Sequence, residues 1–322
     1  MRRFIILGVV VLLVVLGWTA AWFFVANEAR KTIVALGEDN GSGAPTLNCG
    51  KLDVAGYPFR LDITCTDAAI RSEDLTATLA EVRATVLVYR LNQVLLFAKA
   101  PLMLEDAFSG AESRLTWATL ESSLRLVDWR IARFSLVAEN LNWADTLATE
   151  ALIANAGHLE LHLVDIPERL DRVAHTAALA VVGRLTGLTS PGAGISAGDS
   201  ELYAEVSGLP DELIRYAEPG LLQRWQAAGG NLKVITLKGT DNESFFDITG
   251  DVKLNAGGQP DGQVVVKSRG LVERFETAIA PELRPLVLGN QQPDGSYTQT
   301  LTMSGGVVLS GLMPAGVIPP LW

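Results

Sequence analysis

The stretch from Phe4 to Ala26 contains no charged side chain, and it constrains the fold more than any other part of the chain. A helix rises about 1.5 Å per residue, so this run is long enough to cross a hydrocarbon core of about 30 Å. Arg2 and Arg3 precede the run, and two tryptophans lie towards its other end. Because basic residues stay on the cytoplasmic side and indole rings favour the interface, the sequence predicts a transmembrane anchor over residues 1–26 with a cytoplasmic N-terminus.

A cleaved signal peptide is the alternative interpretation of the same stretch. The apolar segment of a signal peptide is about 7–15 residues long and ends at small residues. Here the run is longer and ends with bulky side chains at Trp22, Phe23 and Phe24, and Thr19-Ala20-Ala21 is the best cleavage site it offers. A retained single-pass anchor is therefore favoured, with the bulk of the chain on the far side of the membrane.

The charge balance limits the partners of the part outside the membrane. Without Arg2 and Arg3 it has 24 basic and 36 acidic side chains. Nucleic acid needs a basic surface, so nucleic acid is excluded as a partner, and broad adhesion to anionic lipid is disfavoured. Aromatic residues make up only 7% of the chain, which suits an aliphatic interior better than a sugar-stacking site.

The chain has two cysteines, Cys49 and Cys65, and both lie outside the predicted anchor. An oxidising compartment permits a disulfide, and one pair of cysteines can form only one intramolecular bridge. Gly56-Tyr57-Pro58 lies at the midpoint between them. If this is the turn of a hairpin, Cys49 faces Cys65 at the separation that a disulfide needs. The sequence therefore predicts a structural disulfide.

Most of the chain after residue 46 alternates apolar and polar residues with the period of two that indicates β-strands. Residues 27–46 read as a polar linker that is helix-compatible at its start. Helices are predicted over residues 145–156, roughly over 211–227, and near 271–280. Strands outnumber helices and follow one another through short turns, which predicts a mainly β, α+β fold built on a strongly twisted antiparallel sheet.

The Gly-, Pro- and Ser-rich segment 189–199 is the clearest internal joint of the chain. It divides the remaining residues into a first β-rich half at 47–190 and a second at 199–322. The pattern does not decide whether the two halves form one sheet.

Two short patterns resemble enzyme or metal sites, but the surrounding sequence supports neither. Residues 194–198 match the G-x-S-x-G pattern around Ser196, but no strand–turn–helix context surrounds it, and all three histidines precede it. His158 and His162 could share a metal ion. However, Leu159 and its alternate neighbours occupy the opposite face, which favours two solvent-facing histidines on a strand. The sequence therefore assigns no catalytic, cofactor-binding or metal-binding residue, and we expect no enzyme, with a hydrolase as the alternative.

The most distinctive short motif is Gly56-Tyr57-Pro58-Phe59-Arg60, followed by Leu-Asp-Ile-Thr-Cys. Behind a single N-terminal anchor, this motif resembles an uncharacterised family of bacterial proteins anchored in the inner membrane. The C-terminal strands, with Ser-Gly-Gly-Val-Val-Leu-Ser-Gly at 304–311, are also similar to those of the wider AsmA/TamB-like envelope proteins.

The resemblance implies a location and a shape. It implies a protein of the inner membrane whose bulk is periplasmic, with a sheet curled into a groove that has an apolar inside. The expected function is envelope lipid handling or outer-membrane biogenesis, with phospholipid or another acyl-chain molecule as ligand. The alternative is an assembly factor with an envelope protein as partner.

Overall fold

The computed structural model describes residues 2–38, 45–72, 74–242, 244–270, 289–311 and 313–322. These residues form one antiparallel sheet behind a long N-terminal helix, which confirms the predicted fold class. The helix predicted near 271–280 lies outside the described residues. The strands are β1 Thr46–Ala55, β2 Arg60–Ser72, β3 Leu75–Leu87, β4 Arg90–Asp106, β5 Glu112–Thr116, β6 Thr119–Val127, β7 Arg130–Asp145, β8 Ala151–Asp165, β9 Thr176–Ser190, β10 Ile195–Pro210, β11 Asn231–Asp241, β12 Ser244–Leu254, β13 Pro260–Arg269, β14 Asn290–Gln291, β15 Tyr297–Ser304, β16 Val307–Ser310 and β17 Met313–Val317.

The sheet is a meander in which each strand pairs with its neighbours in the sequence. β5 and β6 both pair with β4 on one side and β7 on the other, so together they act as one interrupted strand. β13 pairs with β15, and the short β14 also pairs with β15. Consecutive antiparallel pairing needs only short turns, which explains why turn residues recur so regularly along the sequence.

The first helix, α1, runs from Arg2 to Ala35 and therefore continues beyond the apolar run. Residues 27–35 contain no glycine or proline to end it, so the start of the predicted linker is helical. The helix is long and apolar enough to cross a membrane. The predicted helix at 211–227 is shorter in the structure, as a 3-10 turn at Leu213–Ala217 and a second helix, α2, at Leu221–Ala227.

The helix predicted over residues 145–156 is wrong. β7 ends at Asp145 and β8 begins at Ala151, and Leu152 and Ala156 pair with β7. Ala144 and Ala156 are both buried in this part of the sheet. Alanine has the highest helix propensity, but propensity is a weak determinant of structure, and the pairing with β7 outweighs it here.

The joint predicted at 189–199 is a hairpin connection. β9 leads through a 3-10 turn at Pro191–Ala193 into β10, and the two strands pair along their length. Gly194 takes the left-handed conformation that closes this turn (φ 65). The strands of residues 47–190 and those of residues 199–317 therefore belong to one sheet.

Irregularities interrupt the long strands near their middles. Asp67, Asn140 and Gly187 have positive φ values of 50, 53 and 66. The register between β3 and β4 shifts between Leu79 and Glu81. These sites follow one another from strand to strand, and residues 117–118 separate β5 from β6 along the same line. Because each interruption bends its strand, the sheet curls about a line that crosses the strands.

Candidate functional site

One face of the sheet carries a continuous apolar surface, which we call the apolar face. Cross-strand partners on this face can be followed from β1 to β13, one residue per strand. The row consists of Val54, Ile63, Ala84, Leu96, Ser122, Leu136, Leu161, Gly183, Leu202, Leu237, Ile248 and Val266. Ten of these twelve residues are aliphatic, and the other two are small.

A second apolar row lies beside the first, two residues closer to the turns that follow β1 and β3. It consists of Leu61, Val86, Val94, Leu124, Phe134, Leu163, Val181, Ala204, Val234, Gly250, Val264 and Leu301. The side chains of both rows are half-buried, and Ala204 is the one that is fully buried. Leu179, at 4% exposed, is the only large aliphatic side chain that is buried among the described residues of the sheet.

The apolar face has no second layer among the described residues. Sheets normally bury their apolar side against helices or another sheet. Here α2 has only seven residues and is fixed to β10, where Trp225 Nε1 donates to the Ser207 carbonyl at 2.7 Å. The apolar side chains are therefore buried only by one another, and they remain partly exposed.

The opposite face, which we call the polar face, is rich in charge. One row of it alternates in sign from β8 to β13, through Glu160, Arg184, Glu201, Lys238, Asp247 and Lys267. Opposite charges at directly facing positions stabilise neighbouring strands. The two faces of the sheet thus differ strongly in polarity.

The histidines of β8 lie on the polar face, as the alternation predicts. His158 Nδ1 is 2.7 Å from Glu139 Oε1, and its Nε2 is 2.9 Å from Glu160 Oε1. The hydrogen bond to Glu139, followed by that to Glu160, raises the pKa of His158 above its usual value. His162 Nε2 lies 3.7 Å from the other oxygen of Glu160. Among the residues that the structure describes, no three His, Cys, Asp or Glu side chains are arranged to hold a metal ion.

Ser196 lies at the start of β10, and its partners are not histidines. Its hydroxyl accepts a hydrogen bond from Asn242 Nδ2 at 2.9 Å and lies 3.4 Å from Asp241 Oδ1. All three histidines contact carboxylates elsewhere, His175 with Asp211 at 3.4 Å. The structure therefore does not bring Ser196 and a histidine together as a nucleophile and its base.

The Gly56-Tyr57-Pro58-Phe59-Arg60 motif forms the turn between β1 and β2, and this turn packs on α1. Trp18 Nε1 donates to the Pro58 carbonyl, and Trp22 Nε1 donates to the Arg60 carbonyl, both at 3.0 Å. The ring of Tyr57 packs edge-on against Trp22 with 5.6 Å between the centroids. The motif thus joins the helix to the sheet, and it also borders a cleft of about 440 Å³ lined by Val14, Val15, Trp18, Tyr57, Pro58 and Phe59.

Family comparison gives the chain a place among bacterial proteins. Residues 22–319 match the model of a family described as an uncharacterized protein conserved in bacteria (DUF2125). The chain belongs to this family. The matched segment includes Trp22 and the whole turn at 56–60 that contacts it. No curated protein and no solved structure matches the chain.

Membership of DUF2125 confirms the resemblance to an uncharacterised bacterial family. The similarity to AsmA/TamB-like proteins gains no support from these comparisons and stays a prediction. Sequence reasoning missed the contact between the turn and α1. Trp18, Thr19 and Trp22 are the signal that could have revealed it, because they place three hydrogen-bonding groups within one helical turn of an otherwise apolar run.

The predicted disulfide between Cys49 and Cys65 is present, with 5.3 Å between the Cα atoms. The prediction that the two residues face each other directly is wrong. Cys65 pairs with Leu52, and Cys49 pairs with Ala68. The hairpin is centred between Pro58 and Phe59 rather than on Tyr57, since Ala55 pairs with Asp62, and this shifts the register.

Proposed function

We propose that this DUF2125 protein is a non-enzymatic, membrane-anchored protein of the bacterial periplasm whose apolar face binds acyl chains. In this role it takes part in envelope lipid handling or outer-membrane biogenesis. The observation that supports the proposal is the pair of apolar rows that cross twelve strands without a covering layer among the described residues. At about 4.8 Å per strand, one row extends roughly 50 Å along the sheet.

The contacts of α1 support an anchor that is retained. The residues that hold the turn at 56–60 are Trp18, Thr19 and Trp22. Cleavage after Thr19-Ala20-Ala21 would remove Trp18 and Thr19 and leave the Tyr57 hydroxyl and the Pro58 carbonyl without these partners. The Cys49–Cys65 disulfide is typical of an oxidising compartment such as the periplasm. Together these features favour the inner membrane as the location.

The absence of enzymatic activity is part of the proposal. Ser196 and the three histidines are engaged with other polar partners, and His158 and His162 lie on the polar face. Replacing Ser196 or either of these histidines is therefore expected to leave the protein's role intact. Loss of function in any of these variants, with folding unchanged, would favour the hydrolase alternative.

Photo-crosslinking with a phospholipid that carries a diazirine in its acyl chain tests lipid binding. The full-length protein is reconstituted in membranes that contain the probe, illuminated and digested. We expect labelled peptides to carry the label on residues of the apolar face, such as Leu136 and Leu161, and not on their polar-face neighbours. Labelling confined to α1 would contradict the proposal.

Two adjacent positions of β9 provide a matched pair of variants. A Cβ added to Gly183 would meet Leu202 Cβ at 3.5 Å and Leu161 Cδ1 at 3.9 Å, which are ordinary contacts, so a side chain can be accommodated on the apolar face. We expect Gly183→Phe to reduce acyl-chain labelling. Val182→Phe adds similar bulk on the polar face, where Val182 pairs with His162, and should leave labelling unchanged.

An assembly factor is the second candidate, and the last strand favours it. All five residues of β17 are exposed, and in the described part of the chain β17 pairs only with β16. An open strand edge can pair with a strand of another protein. Under this alternative, crosslinkers placed along β17 should capture one reproducible envelope protein, and the lipid probe should label α1 alone.

A further inference from the structure

The turns at one end of the strands expose large apolar side chains. We call this end, formed by the turns β1–β2, β3–β4 and β6–β7, the proximal edge. Phe59, Tyr89 and Trp129 are the most exposed aromatic residues of these turns, at 66%, 70% and 75%, whereas Tyr57 of the first turn packs on α1. Leu91 beside Tyr89 is also 72% exposed. Exposed aromatic side chains grouped in this way usually mark an interaction surface.

Hydrogen bonds join these turns into one continuous edge. Val88 N donates to the Phe59 carbonyl at 3.0 Å, which connects the first two turns. Asn92 Nδ2 donates to the Leu126 carbonyl at 3.3 Å, which connects the second turn to the strand before the third. The edge therefore extends without a break from the turn that contacts α1 to Trp129.

The first turn of the edge lies beside the part of α1 that a membrane would surround. Val14 and Val15 line the same cleft as Phe59, and both lie in the middle of the apolar run at 4–26. A membrane that surrounds this run therefore also reaches Phe59. The same turn is also held by Trp18 and Trp22, which lie in the second half of the run, so the edge extends from this contact towards the headgroups on the side of the sheet domain.

Arginines on the polar face lie just behind the proximal edge. Arg125 on β6 and Arg133 on β7 are direct cross-strand partners, and both are exposed. Arg133 Nε donates to Ser135 Oγ at 3.2 Å, but neither arginine forms an ion pair within the described residues. Two like charges at facing positions destabilise a sheet unless an anion lies between them. Lipid phosphates supply such anions.

We propose that the proximal edge lies in the headgroup region of the membrane that α1 crosses, on the side of the sheet domain. Tyr89 and Trp129 insert as interfacial aromatic residues, and Arg125 and Arg133 bind lipid phosphate. Aromatic rings with a polar end favour this region, and arginine pairs well with phosphate. The strands then point away from the bilayer, and one end of the apolar face opens at the lipid surface. This docking does not depend on acyl-chain binding by the apolar face.

Quenching of tryptophan fluorescence by brominated lipid tests the position of Trp129. The full-length protein is reconstituted in phosphatidylcholine vesicles with bromine atoms near the top of the acyl chains. Trp143 serves as the control, because it is exposed near the opposite end of β7. We expect Trp129→Phe to lose part of the bromine-quenched emission and Trp143→Phe to lose only emission that bromine does not quench.

Anionic lipid tests the role of the arginines. Adding phosphatidylglycerol to the same vesicles should increase the quenching of Trp129. The double variant Arg125→Glu/Arg133→Glu should lose this increase. Arg71→Glu should keep it, because Arg71 is an exposed arginine that pairs with Thr76 at the end of β2 far from the proximal edge. Circular dichroism confirms that each variant is folded.

Two results would overturn the proposal. If Trp129 and Trp143 are quenched to the same small extent, the proximal edge does not touch the bilayer, and a protein partner becomes the better explanation of its exposed rings. If charge reversal leaves the response to phosphatidylglycerol unchanged, the arginines do not bind lipid phosphate.

Discussion

The hydroxyl of Tyr57 lies 2.7 Å from Thr19 Oγ1 and connects the turn of the first hairpin to the apolar helix. Thr19 Oγ1 also lies 2.7 Å from the Val15 carbonyl, to which it donates, so it accepts from Tyr57. The same tyrosine ring contacts Trp22 edge-on and stacks on Phe23 at 6.1 Å. One residue of the motif thus supplies both a hydrogen bond and an aromatic cluster to the junction between helix and sheet.

This junction predicts a graded response to substitution at Tyr57. Tyr57→Phe removes only the hydrogen bond and should cost about 0.5–1.5 kcal/mol of junction stability. Tyr57→Ala also removes two ring contacts, each worth about 0.5–1.5 kcal/mol, and should cost more. Thermal unfolding in a membrane mimetic measures both. In a double-mutant cycle, Thr19→Val should add nothing to Tyr57→Phe, and full additivity would show that the two groups do not interact.

The disulfide should stabilise the first hairpin. Cys49 and Cys65 close a loop with a sequence separation of 16. A loop of about this size contributes roughly 3 kcal/mol in the chain-entropy model. The double variant Cys49→Ser/Cys65→Ser is therefore expected to unfold at a lower temperature than the oxidised wild type. Dithiothreitol should lower the melting temperature of the wild type and leave that of the double variant unchanged.

The ion pair between Arg130 and Asp165 is the most buried one among the described residues. Arg130 Nη2 lies 3.0 Å from Asp165 Oδ2, and the two side chains are 12% and 9% exposed. Removing one partner leaves a buried charge unpaired, so Arg130→Met should destabilise the fold by about 3–5 kcal/mol. Chemical denaturation measures the change.

Two further variants make this prediction specific. Replacing both partners, as in Arg130→Met/Asp165→Leu, removes both charges and should recover most of the loss. The pair of Arg172 and Asp128 is separated by 4.0 Å and is about three-quarters exposed on both sides. Arg172→Ala should therefore cost only about 0–1 kcal/mol. An equal cost for Arg130→Met and Arg172→Ala would contradict the argument.

The sequence predicted which side chains share a face of the sheet better than it predicted which distant residues contact one another. Alternation on β8 separates Leu159, Leu161 and Leu163 from His158 and His162, because side chains on a strand point to opposite faces with a period of two. This local rule holds between the irregularities of the strands and is enough to predict a strand-rich fold with one apolar side.

Contacts between distant residues could not be predicted in this way. Thr19 and Tyr57 are 38 residues apart and belong to a helix and a turn, so no periodic pattern relates them. The register of the first hairpin depended on where its turn was centred, and an error of one to two residues placed Cys49 opposite the wrong partner. Residues 145–156 were predicted as a helix because the decisive contribution, pairing with β7, is also not local.

The cluster around His158 predicts a defined pH dependence of stability. The hydrogen bonds to Glu139 and Glu160 raise the pKa of His158, and the hydrogen bond to His158 lowers the pKa of Glu160. A raised folded-state pKa means that the stabilisation by His158 is fully present below its ordinary value of 6.5 and is lost as the pH rises through the folded-state pKa. The lowered pKa of Glu160 means that its contribution is present above 4.5 and is lost as the pH falls through its folded-state pKa.

Stabilisation by this cluster should therefore be greatest between the ordinary pKa values of Glu160 and His158, 4.5 and 6.5. We expect the melting temperature of the wild type to fall, relative to that of His158→Gln, as the pH rises above this window, because only the wild type then loses the charged histidine. Melting curves recorded across the range measure the difference. Ser135→Ala, a substitution on the same face that changes no titrating group, is the control and should follow the wild type. Parallel curves for the wild type and His158→Gln would show that the hydrogen bonds of His158 do not couple its protonation to folding.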